Sequence, residues 1–185
     1  LKEYNAKQKR KDRQIKSYYE KISRSKQEKL FYEVIVQIGN KDDTGVGSSA
    51  AKVATWVLKD YVKMFQLRNP QLYVIDAYIH LDEETPHLHL NFVPWVSGCK
   101  RGLETKTSLK AALATRGFVS EGKGNTEWRQ WAEAEKDDIA LIMSRYGIDW
   151  KKKDTHNMHL SVLDYKKKER AKEVDALEEE IEGAQ

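Results

Sequence analysis

Residues 72–93 read LYVIDAYIHLDEETPHLHLNFV and decide the fold of this chain. The segments 72–80 and 87–93 are rich in β-branched and aromatic residues, which favour strands. Residues 82–86 between them read DEETP, and aspartate and proline are common in turns. We therefore predict that this stretch is a β-hairpin.

Three of the five histidines of the chain, His80, His87 and His89, lie in this hairpin. Side chains alternate between the two faces of a strand, so His87 and His89 point to the same face. His80 ends the first strand close to the start of the second, so the three imidazoles can converge. The alternative is that they are partly exposed strand residues with ordinary hydrogen bonds.

The predicted cluster has the chemistry of an open metal site. Neutral imidazole binds zinc, copper, iron and nickel, and manganese when water or carboxylate ligands are added. Three histidines leave coordination positions free, which is typical of catalytic metal sites. Glu83, in the turn, is the natural carboxylate beside the metal. It could be a ligand, a partner that orients a histidine, or a catalytic proton acceptor.

The composition indicates one domain with a polyanionic partner. The chain has 185 residues, 34% of them charged, and a formal net charge of +4. This length is enough for one domain with a core and a helical extension. Residues 2–29 are strongly basic and the last dozen are acidic, and a basic arm beside a metal-binding hairpin suggests a polyanion.

Cysteine usage and hydropathy suggest a cytoplasmic protein. The single cysteine, Cys99, excludes an internal disulfide and fits a reducing compartment. No apolar run approaches the length of a membrane span, and no signal peptide is visible.

The remaining elements predict an α+β fold, a sheet with helices packed on one face. Residues 1–29 are predicted to form one long basic helix, either solvated or in contact with nucleic acid. A strand covers 30–39. Helices cover 49–67, capped by Ser48 or Ser49, then 108–116, and 127–146 after a Thr126 cap. In the hairpin we expect Leu88, Leu90 and Phe92 to divide between the histidine face and the core. In the helix at 127–146 we expect Trp128 and Trp131 to be core residues.

The predicted domain covers residues 1–160, and residues 161–185 begin a charged helix. Its apolar residues recur at three- and four-residue steps, which hints at self-association as a homodimer through this C-terminal helix. These positions are Ala171, Val174, Leu177 and Ile181. The remaining histidines, His156 and His159, lack acidic neighbours in a useful register, so we do not expect a second metal site there.

Four basic residues follow the histidine strand directly. Lys100, Arg101, Lys106 and Lys110 are the first candidates for phosphate contacts if the ligand is a nucleic acid. Otherwise they are ordinary surface residues.

The pattern H-x-D-E-x-x-P-H-x-H, from His80 to His89, resembles the third motif of the Mob/Pre family of plasmid mobilisation relaxases, the MobV type. Residues 34–45, VIVQIGNKDDTG, and 100–105, KRGLET, are similar to Pre-type plasmid recombination proteins. The resemblance covers most of the chain.

This resemblance implies an HUH-type fold, which is a central antiparallel sheet flanked by helices. It implies a relaxase that nicks single-stranded DNA at a transfer origin. It also implies that His80, His87 and His89 hold a divalent ion, Mn²⁺ or Mg²⁺, with Zn²⁺ as a further candidate. Such an ion would polarise the scissile phosphate.

The chain departs from the family pattern at the nucleophile. The family uses a histidine in an H-x-x-R motif near the start of the protein, and no histidine precedes His80 here. We expect that motif to lie upstream of Leu1. The alternative is a tyrosine, and Tyr18 and Tyr19 are the only adjacent pair. The nucleophile therefore stays unassigned, and we expect this chain alone to bind metal but to form no covalent adduct with DNA.

Two further functions remain open at this stage. The chain could be another metal-dependent phosphodiesterase or hydrolase, in which the metal activates water. It could also be a DNA-binding module without catalysis, with structural histidines.

Overall fold

The computed structural model describes residues 1–150 and the helix at residues 162–183. The chain forms two compact units, Leu1–Trp150 and Lys151–Gln185. The predicted boundary between residues 160 and 161 lies outside the described residues, as do His156 and His159.

The first unit contains a four-stranded antiparallel sheet. Strand β3 is central, with β1 on one side and β2 on the other, and the short β4 pairs with the far end of β3. The strands are β1 (Tyr32–Gln37), β2 (Leu72–His80), β3 (His87–Val96) and β4 (Lys106–Thr107). The predicted hairpin is thus β2 and β3, and the predicted α+β fold is confirmed.

The helices begin at polar caps. The side chains of Ser48, Ser108 and Thr126 each accept a hydrogen bond from the backbone amide three residues further on, which satisfies a donor that the helix leaves free. The helices are α1 (Lys2–Ala6), α2 (Tyr18–Ser23), α3 (Lys41–Thr44), α4 (Ser49–Arg68), α5 (Leu109–Ala114), α6 (Glu127–Arg145) and α7 (Val162–Gly183).

The prediction of one long helix over residues 1–29 was wrong. Two short helices, α1 and α2, flank a single 3₁₀ turn at Lys11–Arg13. The Asn5 side chain accepts a hydrogen bond from the backbone amide of Ile15 at 2.8 Å and donates one to its carbonyl at 2.9 Å, which folds the segment back on itself. Because the segment has few apolar residues, no continuous stripe stabilises a longer helix.

The core lies between the sheet and helices α4, α5 and α6. Leu88, Leu90 and Phe92 of β3 are all fully buried on this side, so the prediction that they divide between two faces was wrong. Positions two residues apart in a regular strand share a face. Trp131 is buried as predicted, whereas Trp128 is 38% exposed.

Helix α7 forms the described part of the second unit. Its residues Val174, Leu177 and Ile181 are exposed. No helix in the described ranges is long and apolar enough to cross a membrane.

A buried carboxylate joins helices α4 and α6. Glu135 accepts hydrogen bonds from the Tyr61 hydroxyl at 2.6 Å, the Arg68 guanidinium at 2.9 Å and the Asn69 amide at 2.8 Å. The side-chain oxygen Oδ1 of Asn69 in turn accepts from the Trp131 indole at 2.9 Å. Burial and the neighbouring Glu135 raise the pKa of Tyr61 far above its usual value, so its hydroxyl remains a donor.

We predict that Glu135→Ala lowers the free energy of unfolding by about 3 kcal/mol or more, because it leaves the buried Tyr61 and Asn69 donors without their acceptor and removes one of the two carboxylates that pair with Arg68. Urea denaturation at pH 7 measures this loss. Asp137→Ala, which removes an exposed carboxylate from the same helix, is the control and should change stability by less than about 0.5 kcal/mol. Equal stability of the two variants would contradict the assignment.

Candidate metal centre

The three histidines lie on the face of the sheet opposite the core. His80 of β2 pairs directly with His87 of β3, and His89 lies between Tyr78 of β2 and Ile35 of β1. Tyr78 and Ile35 are 61% and 59% exposed, so this face is open to solvent around the cluster.

A bulge in β2 places His80 on the open face. The register of β2 against β3 shifts at Ile75, an extra residue without a partner in the ladder. Strict alternation from the buried Leu72 would place His80 on the core side. Because the bulge reverses the alternation, His80 joins His87 and His89 instead.

The three imidazole rings form a nearly equilateral triangle. Their centroids are 5.2 Å apart for His80 and His87, 4.9 Å for His80 and His89, and 5.1 Å for His87 and His89. An ion bound about 2.1 Å from an imidazole nitrogen lies about 3.2 Å from the centroid of that ring. If the angle between two such ligands at the ion is about 90–110°, the two ring centroids are about 4.5–5.2 Å apart. The observed spacing therefore suits a single ion.

Hydrogen bonds orient two of the rings. The Nδ1 of His87 lies 2.9 Å from the carbonyl oxygen of Thr85, and the Nδ1 of His89 lies 2.8 Å from a carboxylate oxygen of Glu33. A carbonyl or carboxylate oxygen only accepts, so both Nδ1 atoms carry the proton in the neutral ring. Each Nε2 is then left with a free lone pair, the state in which histidine binds a metal.

The third ring is held less firmly. The Nδ1 of His80 is 3.5 Å from Asp82, and its side chain is 41% exposed, against 10% for His87. The rings of His80 and His87 are stacked at an interplanar angle of 11°.

The cluster as it stands is not a finished coordination shell. Among the described residues, no group of three histidine, cysteine, aspartate or glutamate side chains stands in a geometry that could hold a metal ion. A rotation of the exposed His80 ring would remove the stacking, while His87 and His89 are already oriented. The donor chemistry therefore fits a divalent ion, with one side-chain adjustment.

The predicted carboxylate lies at the edge of the cluster. A carboxylate oxygen of Glu83 is 3.8 Å from the Nε2 of His87, and the Glu83 side chain is 68% exposed. It can therefore reach the position where the histidines would hold an ion.

Helix α3 holds the hairpin turn in place. Lys41 forms an ion pair with Glu84 at 2.8 Å, and the Val46 amide donates to the Glu84 carbonyl at 2.9 Å. A side chain at Gly39, whose φ is +74°, would come within 2.5 Å of atoms of Asp43 and Thr44. The segment VIVQIGNKDDTG, residues 34–45, therefore has a structural role next to the hairpin turn. A cavity of about 440 Å³ lies between α3 and the turn.

The predicted DNA-binding residues lie away from the histidines. Lys100 and Arg101 are exposed in the loop after β3, and Lys106 lies in β4, paired with Val96. Lys110 pairs with Glu127 of α6 at 3.4 Å. Their role stays a prediction.

The adjacent tyrosines lie at that same end of the sheet. The Tyr18 hydroxyl accepts a hydrogen bond from the Thr107 amide at 2.8 Å, and Tyr19 is 67% exposed. Thr107 pairs with Trp95, eight residues along β3 from His87, or about 26 Å at 3.3 Å per residue. This position does not support either tyrosine as the nucleophile.

Sequence reasoning missed Glu33 and Thr85, which orient the histidines. The signal for Glu33 was a lone carboxylate on the outward side of β1, a strand whose other residues are uncharged. For Thr85 no signal existed, since the contact uses its backbone carbonyl.

One protein family matches the chain. The family Mob_Pre, described as plasmid recombination enzyme, matches residues 1–116, which include the sheet and all three histidines. No curated protein and no solved structure matches the chain significantly.

We predict that His87 and His89 are both Nδ1-protonated tautomers in the metal-free protein at pH 8. Nitrogen-15 NMR of the imidazole rings measures this directly. In Glu33→Ala, His89 should lose this preference while His87 keeps it, because Thr85 is unchanged. Nε2-protonated His87 and His89 in the wild type would contradict the assignment.

Proposed function

The chain belongs to the Mob_Pre family of plasmid recombination enzymes, and from that membership we propose a function for it. It is a relaxase domain that nicks single-stranded DNA in a metal-dependent reaction and transfers the strand. It acts in the cytoplasm at the transfer origin of a plasmid or other mobile element and so initiates mobilisation or recombination.

One observation supports this proposal most strongly. Three histidines stand about 5 Å apart on an open sheet face, and two of them keep Nε2 free for a ligand. A polymer such as DNA can reach an exposed face. A closed structural metal site, in contrast, would leave no coordination position free for a phosphate oxygen.

His80, His87 and His89 would hold the ion, either Mn²⁺ or Mg²⁺, with Zn²⁺ as a further candidate. When bound, the ion supplies polarisation of the scissile phosphate and neutralises the charge that develops on it. Neutral ligands suit this role because they leave the full positive charge of the ion to the phosphate oxygens.

The other residues orient and complete the site. Glu33 and Thr85 fix two rings, so that less reorientation is needed on binding. Glu83, 3.8 Å from the Nε2 of His87, is the catalytic carboxylate, as a further ligand or as a proton acceptor. The group that attacks phosphorus is not assigned to a residue of this chain.

The basic residues supply the remaining affinity for DNA. Lys100, Arg101, Lys106 and Lys110 contact phosphates in this proposal. Self-association through the exposed apolar residues of α7 is part of the same proposal.

The metal site is tested by titration with manganese. We expect wild type to bind one ion per chain, and His87→Ala and His89→Ala to bind at least about tenfold more weakly. Calorimetry measures the affinities. Gln37→Ala is the matched control, because Gln37 pairs with His87 on the same open face and is not an imidazole. Unchanged binding in both alanine variants would refute the three-histidine site.

The reaction is tested with single-stranded oligonucleotides that tile the transfer origin of the element encoding the chain. A relaxase leaves DNA attached to protein through a phosphate, which retards the protein in a denaturing gel. Because no residue of this chain is assigned as the nucleophile, we expect this product with manganese only from a protein that also carries the H-x-x-R motif of the family, and we expect its loss when that protein carries His89→Ala. Two free DNA ends would indicate a metal-dependent hydrolase that uses water. Binding without cleavage would indicate a DNA-binding module.

A further inference from the structure

The open face of the sheet carries three exposed aromatic side chains. Tyr78 is 61% exposed, Tyr73 is 63% exposed and Trp95 is 38% exposed. We call these three residues the aromatic track. None of them contributes to the core, although aromatic residues usually lose much of their exposed area on folding.

Strand pairing places the track on the histidine face. Tyr78 pairs with His89, and Tyr73 pairs with Val93, four residues further along β3. Trp95 follows Val93 by two residues, so it shares the same face. Tyr73 and Tyr78 are five positions apart, and in a regular strand an odd separation would place them on opposite faces. The bulge at Ile75 places both on this face.

The track therefore runs in a line away from the metal centre. At about 3.3 Å per residue of β3, Tyr73 lies about 13 Å from Tyr78 along the sheet, and Trp95 lies about 7 Å beyond it. This is the layout of a platform on which successive bases of an extended strand stack, as on the sheets of several single-strand-binding folds.

Charge complements the far end of the track. Residues 2–29 contain eleven lysines and arginines against four aspartates and glutamates. The Tyr18 hydroxyl anchors this segment to Thr107 of β4, which pairs with Trp95. Lys106 lies in the same short strand. Positive charge is thus concentrated at the Trp95 end of the track, where it would attract a polyanion.

The two carboxylates on this face are already engaged. Glu33 is bonded to His89, and Asp76 accepts a hydrogen bond from the Asn91 amide at 2.7 Å. They flank the track between Tyr78 and Tyr73 and leave the rings uncovered.

We propose that Tyr78, Tyr73 and Trp95 stack on the bases of single-stranded DNA and set the preference for single strands. Tyr78 holds the base next to the phosphate at the histidines, and the strand runs over Tyr73 and Trp95 toward the basic segment. Bases in a duplex are paired and stacked with each other, so they cannot occupy the track. The inference rests on the proposed function for its polynucleotide ligand.

The test measures DNA binding without metal, so it succeeds or fails independently of the metal site. Fluorescence anisotropy with a labelled single-stranded 20-nucleotide oligomer, in EDTA and low salt, gives the affinity of the whole chain. We expect Tyr78→Ala and Tyr73→Ala each to weaken binding roughly 5- to 100-fold. Tyr78→Phe should bind within about twofold of wild type, because phenylalanine retains the stacking ring.

Trp56→Ala is the matched control. Trp56 is 52% exposed, but it lies on α4 in the helical layer, and its loss should leave DNA affinity unchanged. A second signal reports stacking itself. The fluorescence of 2-aminopurine placed in the oligomer should change on binding to wild type and Tyr78→Phe, and less with Tyr78→Ala. Circular dichroism confirms that each variant is folded.

Four results would overturn the proposal. The first is wild-type affinity in both Tyr78→Ala and Tyr73→Ala. The second is an equal loss in Tyr78→Phe and Tyr78→Ala, which would assign the role to the hydroxyl. The third is equal affinity for duplex and single strand. The fourth is a sedimentation result in which wild type is a dimer and Tyr78→Ala is a monomer, because a second copy of the chain would then cover the track in wild type.

Discussion

The central position of β3 is the constraint on which the structure depends. This strand pairs with all three other strands, and its two faces have opposite characters. Leu88, Leu90 and Phe92 are fully buried, while His87 and His89 alternate with them on the other side. A shift of one residue in either pairing would exchange core and site, so burial of the leucines and the phenylalanine also fixes the position of the histidines.

The helices complete this separation of the two faces of the sheet. Helices α4, α5 and α6 cover the core side, and the Glu135 network locks α4 against α6 there. The other side carries the histidines, the residues that orient them and the aromatic track. Stability and the proposed ligand binding thus use different surfaces of one sheet, and the proposed binding surface needs no rearrangement of the core.

Sequence patterns were sufficient for the elements with strong local signals. The hairpin followed from alternation and a turn containing proline, the caps at Ser48 and Thr126 from their side chains, and the shared face of His87 and His89 from strand geometry. Non-local features were not predictable. The bulge at Ile75 depends on how β2 meets β3, and the contact of Glu33 with His89 spans 56 residues of sequence. In residues 1–29 the Asn5 side chain bonds the backbone of Ile15, ten residues away, which is an alternative to a continuous helix that the sequence pattern did not indicate.

The central claim is that His80, His87 and His89 bind one divalent ion through Nε2 after the His80 ring rotates. A crystal structure of the manganese-loaded protein, with anomalous scattering recorded for manganese, tests this most directly. The account predicts a single anomalous peak about 2.2 Å from all three Nε2 atoms, with the His80 ring turned out of its stack on His87. A peak in the cavity between α3 and the hairpin turn, or histidine rings that keep their stacking with no metal between them, would contradict it.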